Sequence, residues 1–215
     1  MARGRFITFE GGEGAGKSTQ AKRLATWLEG QGRNVLLTRE PGGSPGAEEI
    51  RKLLVQGATD RWDPMTETLL HFAARRDHLE RVIRPALAAG QWVLSDRFAD
   101  STLAYQGYGH GVDRDFIALL EKAVVGSQRP DLTLILDLPV AQGLERAGAR
   151  RGPETRYEDM AQAFHERLRQ GFLAIAAQEP RRCRVIDATA SLDAVQAKLR
   201  AAMTEAFPAE LRQAP

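Results

Sequence analysis

The chain has 215 residues, is 43% hydrophobic, and balances 30 Lys plus Arg against 28 Asp plus Glu for a net charge of +2. That is enough apolar material to close one sizeable core, and the length fits one domain spanning 1–215 better than two. The small net charge argues against a wholesale nucleic-acid binder, so local arginine clusters must carry any anion recognition.

Five short β-prone runs recur along the chain with helical segments between them: "RFITFE", "NVLLTRE", "QWVLSD", "LTLILD" and "CRVIDA". Each is nearly continuously apolar, the pattern of a parallel sheet covered on both faces, so the expected fold class is α/β, doubly wound. The first helix is expected to start in a glycine loop, with Ala21, Leu24, Ala25 and Leu28 on one apolar face and Gly32 at its end. A longer helical stretch is expected from about Pro64 to Ala89, with Leu69, Phe72, Ala73 and Arg76 sharing a face. The final "FPAELRQAP" is expected to fray.

No stretch reaches the ~18 apolar residues of a membrane span, and the start lacks the apolar run and cleavage site of a signal peptide. The single cysteine, Cys183, reads as a buried strand thiol and excludes an internal disulfide. A reducing, cytoplasmic setting without membrane contact is the expectation.

The chemistry begins at "GGEGAGKST", residues 11–19, directly after the first strand. Gly11, Gly16, Lys17 and Ser18 satisfy G-x-x-x-x-G-K-[ST] in the strand–loop–helix context that the motif demands. The loop of Gly11, Gly12, Glu13, Gly14, Ala15 and Gly16 would wrap a phosphate with backbone N–H groups. Lys17 would reach the β and γ phosphates, Ser18 a magnesium ion, and Thr19 the region of the α-phosphate, making ATP with Mg²⁺ the default ligand. The fold implied is a P-loop NTPase-type, three-layer one.

The loop alone does not say where a phosphoryl group goes. "DRFADSTLAYQG" places Asp96 and Arg97 at the carboxyl end of the third strand, where ligands of open α/β sheets bind. Asp96 suits the metal shell and Arg97 a second phosphate. On a following helix Ser101, Thr102 and Tyr105 would line one wall. Phe72 and Arg76, one turn apart, offer a stacking face and a donor fork for a planar base, although Phe72 taken alone reads as core. "TREPGG" brings Arg39, Glu40 and Pro41 to the same sheet edge.

With "FEGGEGAGKST", "TREPGG", "FAARR", "SDRFADSTLAYQG" and "RPDLTLILD" in this order, residues 4–190 resemble the thymidylate kinases of the bacterial type. The resemblance implies transfer of the γ-phosphoryl group of ATP to dTMP on a five-stranded parallel sheet, by a homodimer. It further implies that Phe72 stacks on thymine, Arg76 bonds a thymine carbonyl, Arg97 and Arg39 hold the dTMP phosphate, and Thr102 and Gln106 border base and sugar. Tyr105 would crowd the 2′ position and Glu13 would accept from the 3′-hydroxyl. A segment at about 146–158, "ERAGARRGPETRYED", looks like the family's basic lid, with Arg146, Arg150, Arg151 and Arg156 around a Gly-Pro break and Thr155 where family lids often carry an acid. Because Gly14 follows Glu13, the transition-state arginines are expected from that lid.

A phosphate acceptor is already largely dianionic at neutral pH, its second pKa lying near ~6, so no general base is required. None of His71, His78, His110 and His165 sits in a metal or triad pattern. Two other readings stay open. Another nucleotide or nucleoside kinase is one, and if it acted on deoxynucleosides it would need Glu40 or Glu13 as a base; a nucleotide-dependent switch would have no use for the pocket around Phe72, Arg76 and Arg97.

Overall fold

The structure is a computed structural model and describes residues 3–149 and 156–211. Its elements, in chain order, are β1 (Phe6–Glu10), α1 (Lys17–Gly30), β2 (Val35–Arg39), α2 (Pro45–Val55), α3 (Pro64–His78), a π-helical turn at Leu79–Ile83, and α4 (Arg84–Ala88). There follow β3 (Trp92–Asp96), α5 (Ala99–Thr102), a second π-helical segment at Leu103–Gly109, α6 (Arg114–Val124) and β4 (Leu132–Asp137). The chain then forms α7 (Val140–Gly148), α8 (Gln162–Gln178), β5 (Cys183–Asp187) and α9 (Leu192–Ala206).

All five expected strands form, in one parallel sheet of order β2-β3-β1-β4-β5. The central strands obey the doubly wound pattern. Ile7, Phe9, Leu94, Leu134 and Leu136 pack on one face with Leu24 and Leu28 of α1 and Leu199 and Met203 of α9. On the other face Phe6 and Val93 meet Leu79, Ile83 and Leu87, while Ile135 meets Phe164, Leu168 and Phe172 of α8. The outer strands depart from it: Leu37 of β2 and Val185 of β5 are 39% and 46% exposed, because each has a neighbour on one side only. The chain end is a further correction. Phe207 and Leu211 are buried in the core beneath Trp92, so fraying is not what residues 207–211 do, and residues 212–215 lie outside the described ones.

The long helical stretch forms as expected, capped by Asp63, whose carboxylate accepts from the N–H groups of Met65 and Thr66. Its buried side differs from the expected face. Leu69 is 47% exposed and Ala73 and Arg76 face outward, whereas Glu67, Thr68, Arg75 and His78 are buried. Apolar periodicity ranked Leu69 above a histidine and an arginine. The interior accepts those polar groups because acidic partners wait there, as described next.

Parallel pairing sets the ends of the inner strands level. Phe9 stands opposite Asp96, and Asp96 opposite Arg39. The carboxyl ends of β1, β2 and β3 therefore share one edge, next to the point where the chain order reverses.

Candidate active site

The loop leaving β1 turns through Gly11, Gly14 and Gly16, all at positive φ. At Gly14 the requirement is also spatial, since a Cβ there would lie 2.0 Å from the carbonyl oxygen of Gly143. Lys17, at the start of α1, donates from Nζ to the carbonyls of Gly11 (3.0 Å) and Gly12 (2.7 Å). Burial, reinforced by the charge of Arg97, brings its ammonium down to about 8. Ser18 donates from Oγ to Asp96 Oδ2, and Asp96 Oδ1 is buried without a partner. These oxygens are the donor set that a hard divalent ion would take. Thr19 is exposed on the same turn.

Arg97 follows Asp96 and is the one non-glycine residue at positive φ (70°) among the described residues. Such a backbone costs on the order of 1–3 kcal/mol and persists only where its surroundings hold it. They do. Nη2 donates to Glu13 Oε1 at 2.7 Å, Nη1 to Gly11 O and Ser101 Oγ at 3.3 Å, and the guanidinium lies 4.9 Å from the Tyr105 ring centre. Behind it, Glu10 accepts from Phe98 N–H (2.7 Å) and Ser101 Oγ (2.5 Å). Burial, with the nearby charge of Asp100, pushes the Glu10 carboxyl up to about 8. Burial would also raise Glu13, but the charges of Arg97 and Lys17 outweigh it and hold that carboxyl at about 2. Tyr105 donates its hydroxyl to Glu13 Oε1 at 2.5 Å.

The opposite wall of the cleft is α3. Arg75 is buried, with Nε on Glu40 Oε2 at 2.8 Å and Nη2 on Phe98 O and Thr102 Oγ1 at 3.0 Å. Its Nη1 has no partner. His78 Nδ1 stands 3.0 Å from the other oxygen of Glu40. Pro41 follows Glu40 through a cis peptide bond, and Arg39 sits at the rim, forking onto Glu48 at 3.0 Å. One helical turn before Arg75, His71 Nε2 lies 2.9 Å from the Tyr157 hydroxyl. Burial, with the charges of Arg75 and Arg156, brings His71 down to about 3, so its ring is neutral. Gln106, Thr102 and Tyr105 complete a cleft of about 450 Å³ that runs from Lys17 and Ser18 to His71 and Tyr157.

Lys17, Ser18, Asp96, Arg97, Glu13, Arg39, Glu40, Pro41, Ser101, Thr102, Tyr105 and Gln106 thus all line this one space. The loop residues Gly11, Gly12, Ala15 and Thr19 are not part of this lining, and three other expected residues lie elsewhere. Phe72 is 2% exposed and packs with Val112 and Ile117, making it a core side chain that points away from the cleft. Arg76 is on the outer side of α3, paired with Glu80 at 2.7 Å and 51% exposed. His71 and Arg75, one residue earlier at the same i, i+4 spacing, line the cleft instead.

Arg156 is the third. Instead of reaching over the cleft it is buried beneath α2 and α3, donating to the carbonyls of Leu54, Ala58 and Thr59 at 2.9–3.0 Å and pairing with Glu67 at 2.5 Å. Every arm of the guanidinium is engaged, so it anchors one end of the 146–158 segment. Arg146, near the other end, donates to Ala188 O at 3.3 Å. Arg150, Arg151 and Thr155 lie outside the described residues.

The residues missed from the sequence are His71, Arg75, Glu67, Tyr157 and Glu10. A usable signal existed for Arg75: an arginine three residues before His78 on a helix whose neighbour strand ends in Arg39-Glu40 has a carboxylate within reach.

Residues 9–199 match the family profile described as "Thymidylate kinase". The chain is 63% identical over 199 residues to a thymidylate kinase of Caulobacter vibrioides, covering 93% of this chain and 95% of that one. It is 53% identical over 216 residues to one of Afipia carboxidovorans, covering 98% and 95%. Its fold superposes on the crystal structure of thymidylate kinase from Ehrlichia chaffeensis with a TM-score of 0.76 and 36% identity, over 94% of this chain and 99% of that one.

Proposed function

The chain belongs to the thymidylate kinase family, and on that premise we propose that its cleft holds ATP and dTMP end to end and moves the γ-phosphoryl group of the first onto the phosphate of the second. The observation that carries this reading is the position of Arg97, one guanidinium that touches both the phosphate loop at Gly11 and the acceptor wall at Ser101 and Tyr105.

The donor triphosphate enters the glycine loop, and Lys17 turns from the carbonyls of Gly11 and Gly12 to the β and γ phosphates. Ser18 and Asp96 would hold Mg²⁺, which would supply neutralising charge on the phosphates. The acceptor phosphate lies on Arg97, with Arg39 at the rim. Its oxygen attacks as a dianion, so catalysis is positioning and charge stabilisation with no side-chain base. That removes the reason for Glu40 to act as a base, and its engagement with Arg75 and His78 supports the same conclusion. The thymine ring lies along His71, whose neutral imidazole offers an aromatic face, and the unpartnered Nη1 of Arg75 donates to a ring carbonyl. Tyr105 and Glu13 meet the sugar.

We place the enzyme in the cytoplasm as a homodimer. The buried thiol of Cys183, which burial raises to about 12, supports a reducing compartment, and the exposed Leu69 and Leu119 on the packed helices α3 and α6 support a partner surface. Light scattering measures the oligomer. The decisive experiment is coupled ADP formation across all nucleoside monophosphates: dTMP is turned over fastest, dUMP poorly because one methyl group is worth only ~1–3 kcal/mol. Equal rates with adenine or guanine nucleotides would overturn the reading.

A further inference from the structure

One buried carboxylate beside the cleft has no part in the phosphate chemistry. Glu67 of α3 is 1% exposed, and its two oxygens serve different neighbours. Oε2 accepts from Arg156 Nη1 at 2.5 Å, and Oε1 accepts from Gln106 Nε2 at 2.7 Å. His110 Nε2 stands 3.7 Å from the same Oε1, beyond hydrogen-bond reach. Gln106 is fully buried and is among the residues that line the cleft, and its other amide atom, Oε1, has no protein partner.

A carboxylate paired with an arginine can only accept hydrogen bonds, whereas a glutamine amide has one donating end and one accepting end. With Glu67 on one side, Gln106 must turn its NH₂ group toward the carboxylate and its carbonyl toward the cleft. Arg75 lines the same cleft, and its unpartnered Nη1 is a donor. The cleft is therefore lined by one residue with a spare acceptor and another with a spare donor. This matches an N–H flanked by a carbonyl, the edge of thymine or uracil, and mismatches cytosine, which shows a bare ring nitrogen beside an amino group.

We propose that Glu67 is a positioning residue that selects the nucleobase by fixing the orientation of the Gln106 amide, without touching the base itself. The inference rests on the dTMP reading above. It has a consequence that a merely structural role lacks. In Glu67→Gln the new amide must place its oxygen on the Arg156 cation, so its NH₂ group faces Gln106. Gln106 then reverses, offers its own NH₂ group to the cleft, and the reading edge is inverted.

The test is steady-state kinetics of Glu67→Gln with dTMP, dUMP and dCMP, alongside its melting temperature. The expected result is a rise in KM for dTMP and dUMP together by about tenfold to a hundredfold, an unchanged dTMP-to-dUMP ratio, and a gain in kcat/KM for dCMP. A folded variant that loses all three substrates equally, or keeps wild-type discrimination, would overturn the proposal. Should the variant not fold, the wild-type protein gives the answer through calorimetry of dTMP against its N3-methyl derivative. Loss of tenfold or more in affinity supports a carbonyl facing N3–H, and equal affinity refutes it. Failure of the underlying reading would look different, since the wild-type enzyme would then turn over neither dTMP nor dUMP.

Discussion

The two ends of the cleft are built by different means. The end proposed for the donor is local: a strand, a loop of glycines at positive φ and the first turn of a helix, with Gly11 to Thr19 supplying most of it. The end proposed for the acceptor is assembled from α3, the end of β2, the π-helical segment after α5 and the residues around Tyr157, held by side chains that bond to each other. A site made by backbone geometry tolerates changes in its surroundings, while one made by mutually dependent side chains fails when any member is lost.

That contrast can be broken or sharpened by mutation. The largest effect is expected at the donor end, where Lys17→Ala should lower kcat by about 10³-fold and leave dTMP affinity largely intact, because this ammonium meets charge on the donor. Single-turnover kinetics with calorimetry of dTMP binding separates the two. Near-normal turnover would remove Lys17 from the mechanism.

At the acceptor end, Arg75→Ala should cost both function and fold. It strands Glu40 in the interior, a loss of about 3–5 kcal/mol in urea unfolding, and weakens dTMP binding. Arg76→Ala, one residue on, should stay within about 0.5 kcal/mol in both. If the two variants behave alike, the assignment of the wall to Arg75 is wrong.

Glu10 lies where the two ends meet and gives a pH signature. Its folded pKa is raised to about 8 from an ordinary 4.5, so its contribution to stability is fully present below about pH 4.5 and is lost as pH rises through 8. Glu10→Gln should flatten that decline, a difference of a few kcal/mol between pH 5 and pH 8 in urea midpoints. Parallel wild-type and variant curves would show that Glu10 does not titrate there.

Among residues placed in the cleft, the smallest effect concerns stacking. His71→Ala should raise the KM for dTMP by about fivefold, the scale of an aromatic contact of ~1 kcal/mol, with little change in melting temperature. Phe72→Ala should do the reverse, destabilising the core by about 3–5 kcal/mol while the protein that remains folded keeps its KM.

The same contrast explains what could be read before the structure. The five strands, the glycine loop and the Asp96-Arg97 strand end were legible because each is a contiguous pattern whose neighbours in sequence are its neighbours in space. The α3 wall was not. Choosing between the pairs Phe72–Arg76 and His71–Arg75 requires knowing which side of the helix faces Glu40 and Glu67, and apolar periodicity pointed the wrong way because this helix buries charged residues against charged partners. Arg156 was misread for a similar reason. Its position beyond a Gly-Pro break suggested a moving cation, and only the carbonyls of Leu54, Ala58 and Thr59, about a hundred residues away along the chain, reveal a fixed one.

The wide turn at Leu103–Gly109 carries a further consequence. Here the N–H of His110 reaches back five residues to the carbonyl of Tyr105, so the segment holds more residues per turn than an ordinary helix. It behaves as a phase shifter between the wall at Thr102 and the helix that begins at Arg114. Deleting one residue, such as Ala104, would let the coil tighten by one step while the chain on either side kept its place. Tyr105 and Gln106 would then swing by about 100° around the axis, given 3.6 residues per α-helical turn. The result would be a folded protein with its phosphate loop intact and its base-reading register lost, which makes the length of this segment as much a part of the substrate specificity as the identity of the residues within it.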